Sequence, residues 1–259
     1  MGLIRPAVVT CCSTRLDLLS ACVTSMIGNE SLQVGLDWNL VVVTWVPSPE
    51  VEEWVRVRSD TLTHVRYETN PSVGYIPNLR GMINLGFETC YALSDWAVLV
   101  NTDVVFGPDW LRELVQLSGD PDVIVNAQHV TRIAGTHTIM EDLGEPLPAT
   151  FNQRAWDLLL RKYRRPGEYR TEEELGGWFA AATMPYVLHR KWWDRCGPWD
   201  LVIGGHSEAP DRRFFQQCHE AGAKFVLSLG SVVYHYEALE RKGARPPGTA
   251  HLPEEGVVT

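Results

Sequence analysis

The run Ala97-Val98-Leu99-Val100-Asn101-Thr102-Asp103 constrains this chain more than any other. Its first four residues are all apolar and two are β-branched. No polar face remains, so the run reads as a strand buried on both sides. Polarity switches on at Asn101-Thr102-Asp103, and Gly107-Pro108 then breaks the chain ahead of a helix that Pro108 can open. A strand buried on both faces belongs to a sheet sandwiched between helices. Ligands of such sheets bind beyond the carboxyl ends of the strands. Asp103 is therefore expected at that edge, where a carboxylate can hold a divalent cation and the cation a diphosphate. The plainer alternative is a turn-forming carboxylate.

The rest of the chain alternates in the same style. Ala7 to Cys12 is a first strand, followed by a helix that Thr14 caps, with Asp17 as its box partner, and that Gly28-Asn29 stops. Asn39 to Val46 is a second buried strand, and Ser48-Pro49 opens a second helix. His64 to Tyr67 is a short strand and Leu79 to Ala92 a helix. The strand at Ala97 comes next, then a helix from Pro108 to Ser118 and a strand from Val123 to Asn126. This order predicts an α/β fold with a mostly parallel sheet flanked by helices.

The second half is less regular. His129 to Ala149 reads as loop or short strands, and Asn152 to Tyr163 as a helix with a solvated basic end at Arg161 to Arg165. Gly176-Gly177-Trp178 reads as a flexible join, and Phe179 to His189 as one or two strands. Lys191 to Cys196 and Pro210 to Ala221 read as helices, Phe225 to Leu227 and Val232 to His235 as strands. The tail from residue 240 reads as mobile.

Composition narrows the function. A net charge of −9, from 23 Lys and Arg against 32 Asp and Glu, gives no bulk attraction to nucleic acid or anionic membranes. No apolar run approaches a membrane span, and the start lacks a signal-peptide pattern. The six cysteines form no Cys-x-x-Cys pair and read as reduced, mostly buried thiols of a cytoplasmic protein. The ten tryptophans fill core in most cases, with sugar platforms as the alternative for some.

Several clusters carry chemistry. Thr10, Cys11, Ser13 and Arg15 follow the first strand and can meet a base or ribose. Asn78, Arg80 and Asn84 lie on or beside the helix before the Asp103 strand, and Arg80 can pair with a diphosphate. Asn101, Thr102 and Asp103 form the strand-end turn. His235 closes an apolar run and is a candidate imidazole ligand, which suits Mn2+ better than Mg2+. Two carboxylates compete for the role of general base: Asp211, just inside a helix start, and Glu208, three residues earlier in the Gly204-Gly205 loop with His206.

This order of motifs resembles the GT-A glycosyltransferases, in particular the inverting group called family 2, over about residues 7 to 236. The motifs are Asn84-Leu85-Gly86 before the metal-binding strand, Asn101-Thr102-Asp103, Pro108-Asp109-Trp110-Leu111 and Gly197-Pro198-Trp199-Asp200. Pro210-Asp211 then opens a helix that closes at Ala221-Gly222, and a strand ends in His235. The resemblance implies a single domain over 1–239, with a nucleotide-sugar half at about 1–126, an acceptor half at about 127–239 and a flexible tail at 240–259. It implies transfer of a sugar from a nucleotide-diphosphate donor to an acceptor hydroxyl. A divalent cation (Mn2+ or Mg2+) is held by Asp103, His235 and Asn101, and counting back from Gly222 puts Asp211 on the catalytic Asp. Pro210 stands where that group often has Glu. The second strand ends in Thr44-Trp45-Val46 with no acid, so the nucleotide base stays open. The acceptor also stays open: a glycan, protein, small molecule or modified nucleobase. A nucleotidyltransferase is the alternative enzyme, but Thr10 to Arg15 lacks the glycines of a phosphate loop. A non-catalytic nucleotide- or sugar-binding module is the third possibility.

Overall fold

The structure is a computed structural model that describes residues 4–70, 75–131, 139–140, 143, 151–182, 184–199 and 210–236. The first half runs β1 (Ala7–Cys12), α1 (Leu16–Gly28), β2 (Asn39–Trp45), α2 (Pro49–Arg56), β3 (Thr63–Tyr67), α3 (Tyr75–Leu93), β4 (Trp96–Val100), β5 (Val104–Phe106) and α4 (Trp110–Val115). The second half runs β6 (Val123–Thr131), β7 (Ile139–Met140), α5 (Gln153–Tyr163), β8 (Tyr169–Thr171), α6 (Glu172–Leu175), α7 (Trp178–Ala181), β9 (Tyr186–His189), α8 (Arg190–Cys196), α9 (Pro210–Glu220) and β10 (Lys224–His235).

All the strands join one sheet in the order β3-β2-β1-β4-β9-β6-β10-β5, with β7 beside β6 and β8 beside β10. The pairs β3/β2, β2/β1, β1/β4 and β6/β10 are parallel. Strand β9 enters antiparallel between β4 and β6, and β5 lies antiparallel to the end of β10. Alternation sends neighbouring residues to opposite faces. Val9, Val41, Leu99, Tyr186 and Leu188 join one core with Phe87, Trp193 and Phe215. Val8, Val42, Val98, Val100 and Val187 join the other with Leu19, Met26 and Trp110. Most of the tryptophans are buried. All six cysteines are free thiols, four of them buried. No described helix is long and apolar enough to cross a membrane.

Several sequence expectations change in detail. Helix α1 starts at Leu16 without a side-chain cap, because Asp17 is taken by the Arg15 guanidinium at 2.6 and 2.8 Å. Those charge-assisted bonds are stronger than a hydroxyl cap. The Pro108 helix is shorter, and the segment before it forms the unexpected strand β5. The strand expected to end at Asn126 runs to Thr131. Residues 178–181 form a helical turn rather than strand, opened by Gly176 and Gly177 at φ 83° and 138°. Among the described residues of the 179–189 segment only β9 is extended.

The two strands expected at the end are one, β10, interrupted by a bulge between Ser228 and Val232. The bulged backbone finds its partners on the turn after α5. Leu229 N–H donates to Glu168 and its carbonyl accepts from Arg165 N–H, at 2.9 and 2.8 Å. Arg164 is not a solvated helix end. It folds inward, with Nε donating to the Gly230 carbonyl at 3.0 Å and a terminal nitrogen 3.4 Å from the buried Glu113 carboxylate. Glu113 also accepts from Gly167 N–H at 2.8 Å. A Cβ added at Gly230 would fall inside that carboxylate.

The helix covering β1 and β2 also depends on a glycine. A Cβ at Gly86 would stand 2.6 Å from Val9 Cγ2 and 3.3 Å from Val43 Cγ2, both on strands that cannot retreat. Gly86→Val should lower the unfolding free energy by about 2–3 kcal/mol, the scale of core overpacking. Urea denaturation of the purified variant measures it.

Candidate active site

Asp103 follows β4 at its carboxyl end, as expected, and is almost fully buried, at 2 % exposure. The turn that carries it is pinned from two sides. Its carbonyl accepts from Tyr236 N–H at 2.8 Å, and β5 then pairs with β10 so that Val104 faces His235. On the other side, Asn29 Nδ2 donates to the Phe106 carbonyl at 2.8 Å. Glu30 accepts from the Leu111 and Arg112 N–H groups at 2.7 and 3.1 Å. A carboxylate from the end of α1 thus complements the positive end of α4.

The pairing brings His235 Nε2 to 3.2 Å from Asp103 Oδ1. With a proton on Nε2, the contact is a hydrogen bond. Two atoms bound about 2.1–2.2 Å from one octahedral cation lie about 3.0–3.1 Å apart, so the same pair also fits one edge of a coordination shell. A carboxylate oxygen beside an imidazole nitrogen suits Mn2+ better than Mg2+. Among the described residues no group of three or more His, Cys, Asp and Glu side chains forms a cage. A cation held by this pair would leave most of its shell to water or a donor diphosphate. Asn101 lies in the same turn, half-buried, and its carbonyl accepts from Cys22 Sγ at 3.4 Å. Thr102 is buried.

The residues at the carboxyl end of β1 and just beyond it also lie at this edge. Thr10 is fully buried, and its hydroxyl has no hydrogen-bond partner among the described residues. Cys11, Ser13 and Arg15 are half-buried. Ser13 Oγ donates to the Trp45 carbonyl at 2.6 Å. It thereby buttresses Val46, which stands at φ 44°, a left-handed conformation unusual for a β-branched residue. Such strain costs about 1–3 kcal/mol and clusters at binding sites.

On α3, two of the expected donor contacts serve the protein itself. Asn78 is fully buried. Its amide accepts from Asn70 N–H at 2.7 Å and donates to the Asn70 carbonyl at 3.1 Å. Asn84 does the same for Trp199, accepting at 3.0 Å and donating at 2.9 Å across 115 positions of sequence. Arg80 is half-buried one turn earlier.

Asp211 lies in the first turn of α9, half-buried, with Oδ1 accepting from Arg212 N–H at 2.8 Å. It is close enough to Tyr186 to matter electrostatically. Burial first, and then the Asp211 carboxylate, push the Tyr186 phenol well above its ordinary value. Tyr186 pairs with Leu99, near the carboxyl end of β4. Glu208 and His206 lie outside the described residues.

Sequence reasoning missed His129. Its ring centroid lies 5.6 Å from that of His235. Burial, aided by His235, pushes its imidazolium pKa down to about 3, so the ring is neutral at any working pH. Extending the alternation Val125, Ala127, His129 would have found it.

No known family profile and no curated relative matches this chain. Solved structures do resemble it. GalNAc-T7, crystallised with UDP, GalNAc and Mn2+, superposes with a TM-score of 0.58 at 14% identity, over 90% of this chain and 44% of that one. S. aureus TarS 1-349 superposes with a TM-score of 0.59 at 11% identity, over 90% and 60%. The chain thus spans roughly half the length of these structures. Its fold is the GT-A glycosyltransferase fold.

Asn84→Ala should leave the buried Trp199 N–H and carbonyl without partners. A loss of about 1–3 kcal/mol in unfolding free energy is expected, read from urea denaturation.

Proposed function

We propose that the protein is an inverting glycosyltransferase that moves a sugar from a nucleotide-diphosphate donor to an acceptor hydroxyl. The observation that carries this is the buried Asp103 carboxylate 3.2 Å from His235 Nε2, at the ligand-binding edge of a GT-A sheet. Asp103 and His235 hold a divalent cation, Mn2+ before Mg2+, with Asn101 beside them. When bound, the cation neutralises the charge that forms on the departing diphosphate.

The other residues divide the remaining work. Thr10, Cys11, Ser13 and Arg15 line the nucleoside end, and Arg80 and Thr102 face the diphosphate. Asp211 takes the proton from the acceptor hydroxyl as its oxygen bonds to the anomeric carbon. The bond from that carbon to the diphosphate breaks on the opposite face. Glu208 is the competing base. Its first-turn position on α9 sets the Asp211 carboxylate among the exposed N–H groups of the helix start. Residues 1–126 form the donor half and 127–239 the acceptor half of one domain. Six free thiols suit a reducing, cytoplasmic location.

A panel of nucleotide-sugars, with and without Mn2+, tests the proposal by thermal stabilisation and donor hydrolysis. One donor should respond, only with metal, and Asp103→Ala or His235→Ala should abolish the response. Asp211→Asn should cut turnover by about 10²-fold or more while leaving donor affinity nearly unchanged. Glu208→Gln is the control. If Glu208→Gln abolishes transfer and Asp211→Asn does not, the base is Glu208. No response from any donor would remove the transferase assignment.

A further inference from the structure

Strand β6 carries a second histidine toward the proposed cation site. His129 registers against Val233 of β10, so it shares a sheet face with Val233 and His235. Its ring stands 5.6 Å from the His235 ring, tilted by 44°. Its Nε2 is sealed from solvent and has no hydrogen-bond partner among the described residues. A buried ring nitrogen without a partner is unfavourable unless something completes it. The side chain beside it is the imidazole facing Asp103, so the missing partner is expected at that site.

We propose that His129 is a positioning residue of the cation site: its ring fixes the His235 imidazole, and its Nε2 hydrogen-bonds an oxygen carried by the cation. That oxygen belongs to a water or to a diphosphate. The role rests on the assignment of Asp103 and His235 as cation ligands, and it adds an outer support of the kind that orients ligating histidines. A site with two protein ligands depends heavily on such support.

Mn2+ binding tests this without turnover. Affinity is measured by calorimetry and by the electron paramagnetic resonance of free Mn2+, with Mn2+ alone and with Mn2+ plus inorganic pyrophosphate, well below the melting temperature. His129→Phe keeps an aromatic ring and removes the nitrogen; His129→Gln keeps a hydrogen-bonding amide. His129→Phe should weaken binding about 10- to 100-fold, and His129→Gln should stay within about threefold of the unsubstituted protein. A loss already present with Mn2+ alone assigns the oxygen to water, and a loss appearing only with pyrophosphate assigns it to the diphosphate. His129→Met replaces the Phe variant if that one does not fold. Unchanged affinity in the Phe variant, or an equal loss in the Phe and Gln variants, overturns the role of His129 and leaves the cation site standing. Absence of Mn2+ binding by the unsubstituted protein overturns both.

Discussion

The candidate site depends on the register of one strand. Strand β10 pairs with β6 up to Ser228 opposite Ala127, then skips three residues and resumes at Val232 opposite Gln128. Because side chains alternate along a strand, the length of this skip decides which residues of its last stretch face which side. It is this stretch that pairs with β5 and sets His235 beside Asp103. The bulge is held by Arg165, Glu168 and the Arg164 bond to Gly230. A structural turn remote from the sheet edge therefore sets the geometry of the two side chains best suited to a cation.

A second tie joins distant parts of the chain. Asn84, on the helix covering β1 and β2, holds the backbone of Trp199, the last described residue before the segment leading to Asp211. Gly86, two residues on, lets that helix lie close to Val9 and Val43. The Asn-x-Gly motif thus has a packing explanation: one residue fixes the helix against the sheet, and the other fixes a loop against the helix. The helix thereby ties the first strands of the sheet to the backbone at Trp199.

The outline was legible in the sequence where local signals are strong. Buried strands announced themselves as β-branched runs, and Ser48-Pro49 marked a capped helix start, with Ser48 accepting from Val51 N–H at 3.4 Å. The polar switch after Val100 located Asp103, and the apolar run before His235 located its neighbour. What stayed hidden was set by non-local contacts. Strand β5 is three residues long and exists through its pairing with β10. The bulge is stabilised by residues some sixty positions away. Thr14 has the pattern of a helix cap, yet Arg15 captures its intended partner Asp17. Asn78 and Asn84 were recognisable as special, but residue type could not tell whether their amides face a ligand or the protein's own backbone.

The contact between Gly230 and Glu113 has an evolutionary corollary. The carboxylate occupies the space where any other residue at 230 would put its first carbon, while it bonds Gly167 and meets Arg164. A larger residue at 230 would push the Glu113 carboxylate aside, away from Gly167 and Arg164, and leave Arg164 with the Gly230 carbonyl and the Asp109 carboxylate 3.7 Å away. The three positions are physically coupled, so homologues that keep the bulge are expected to vary them in concert.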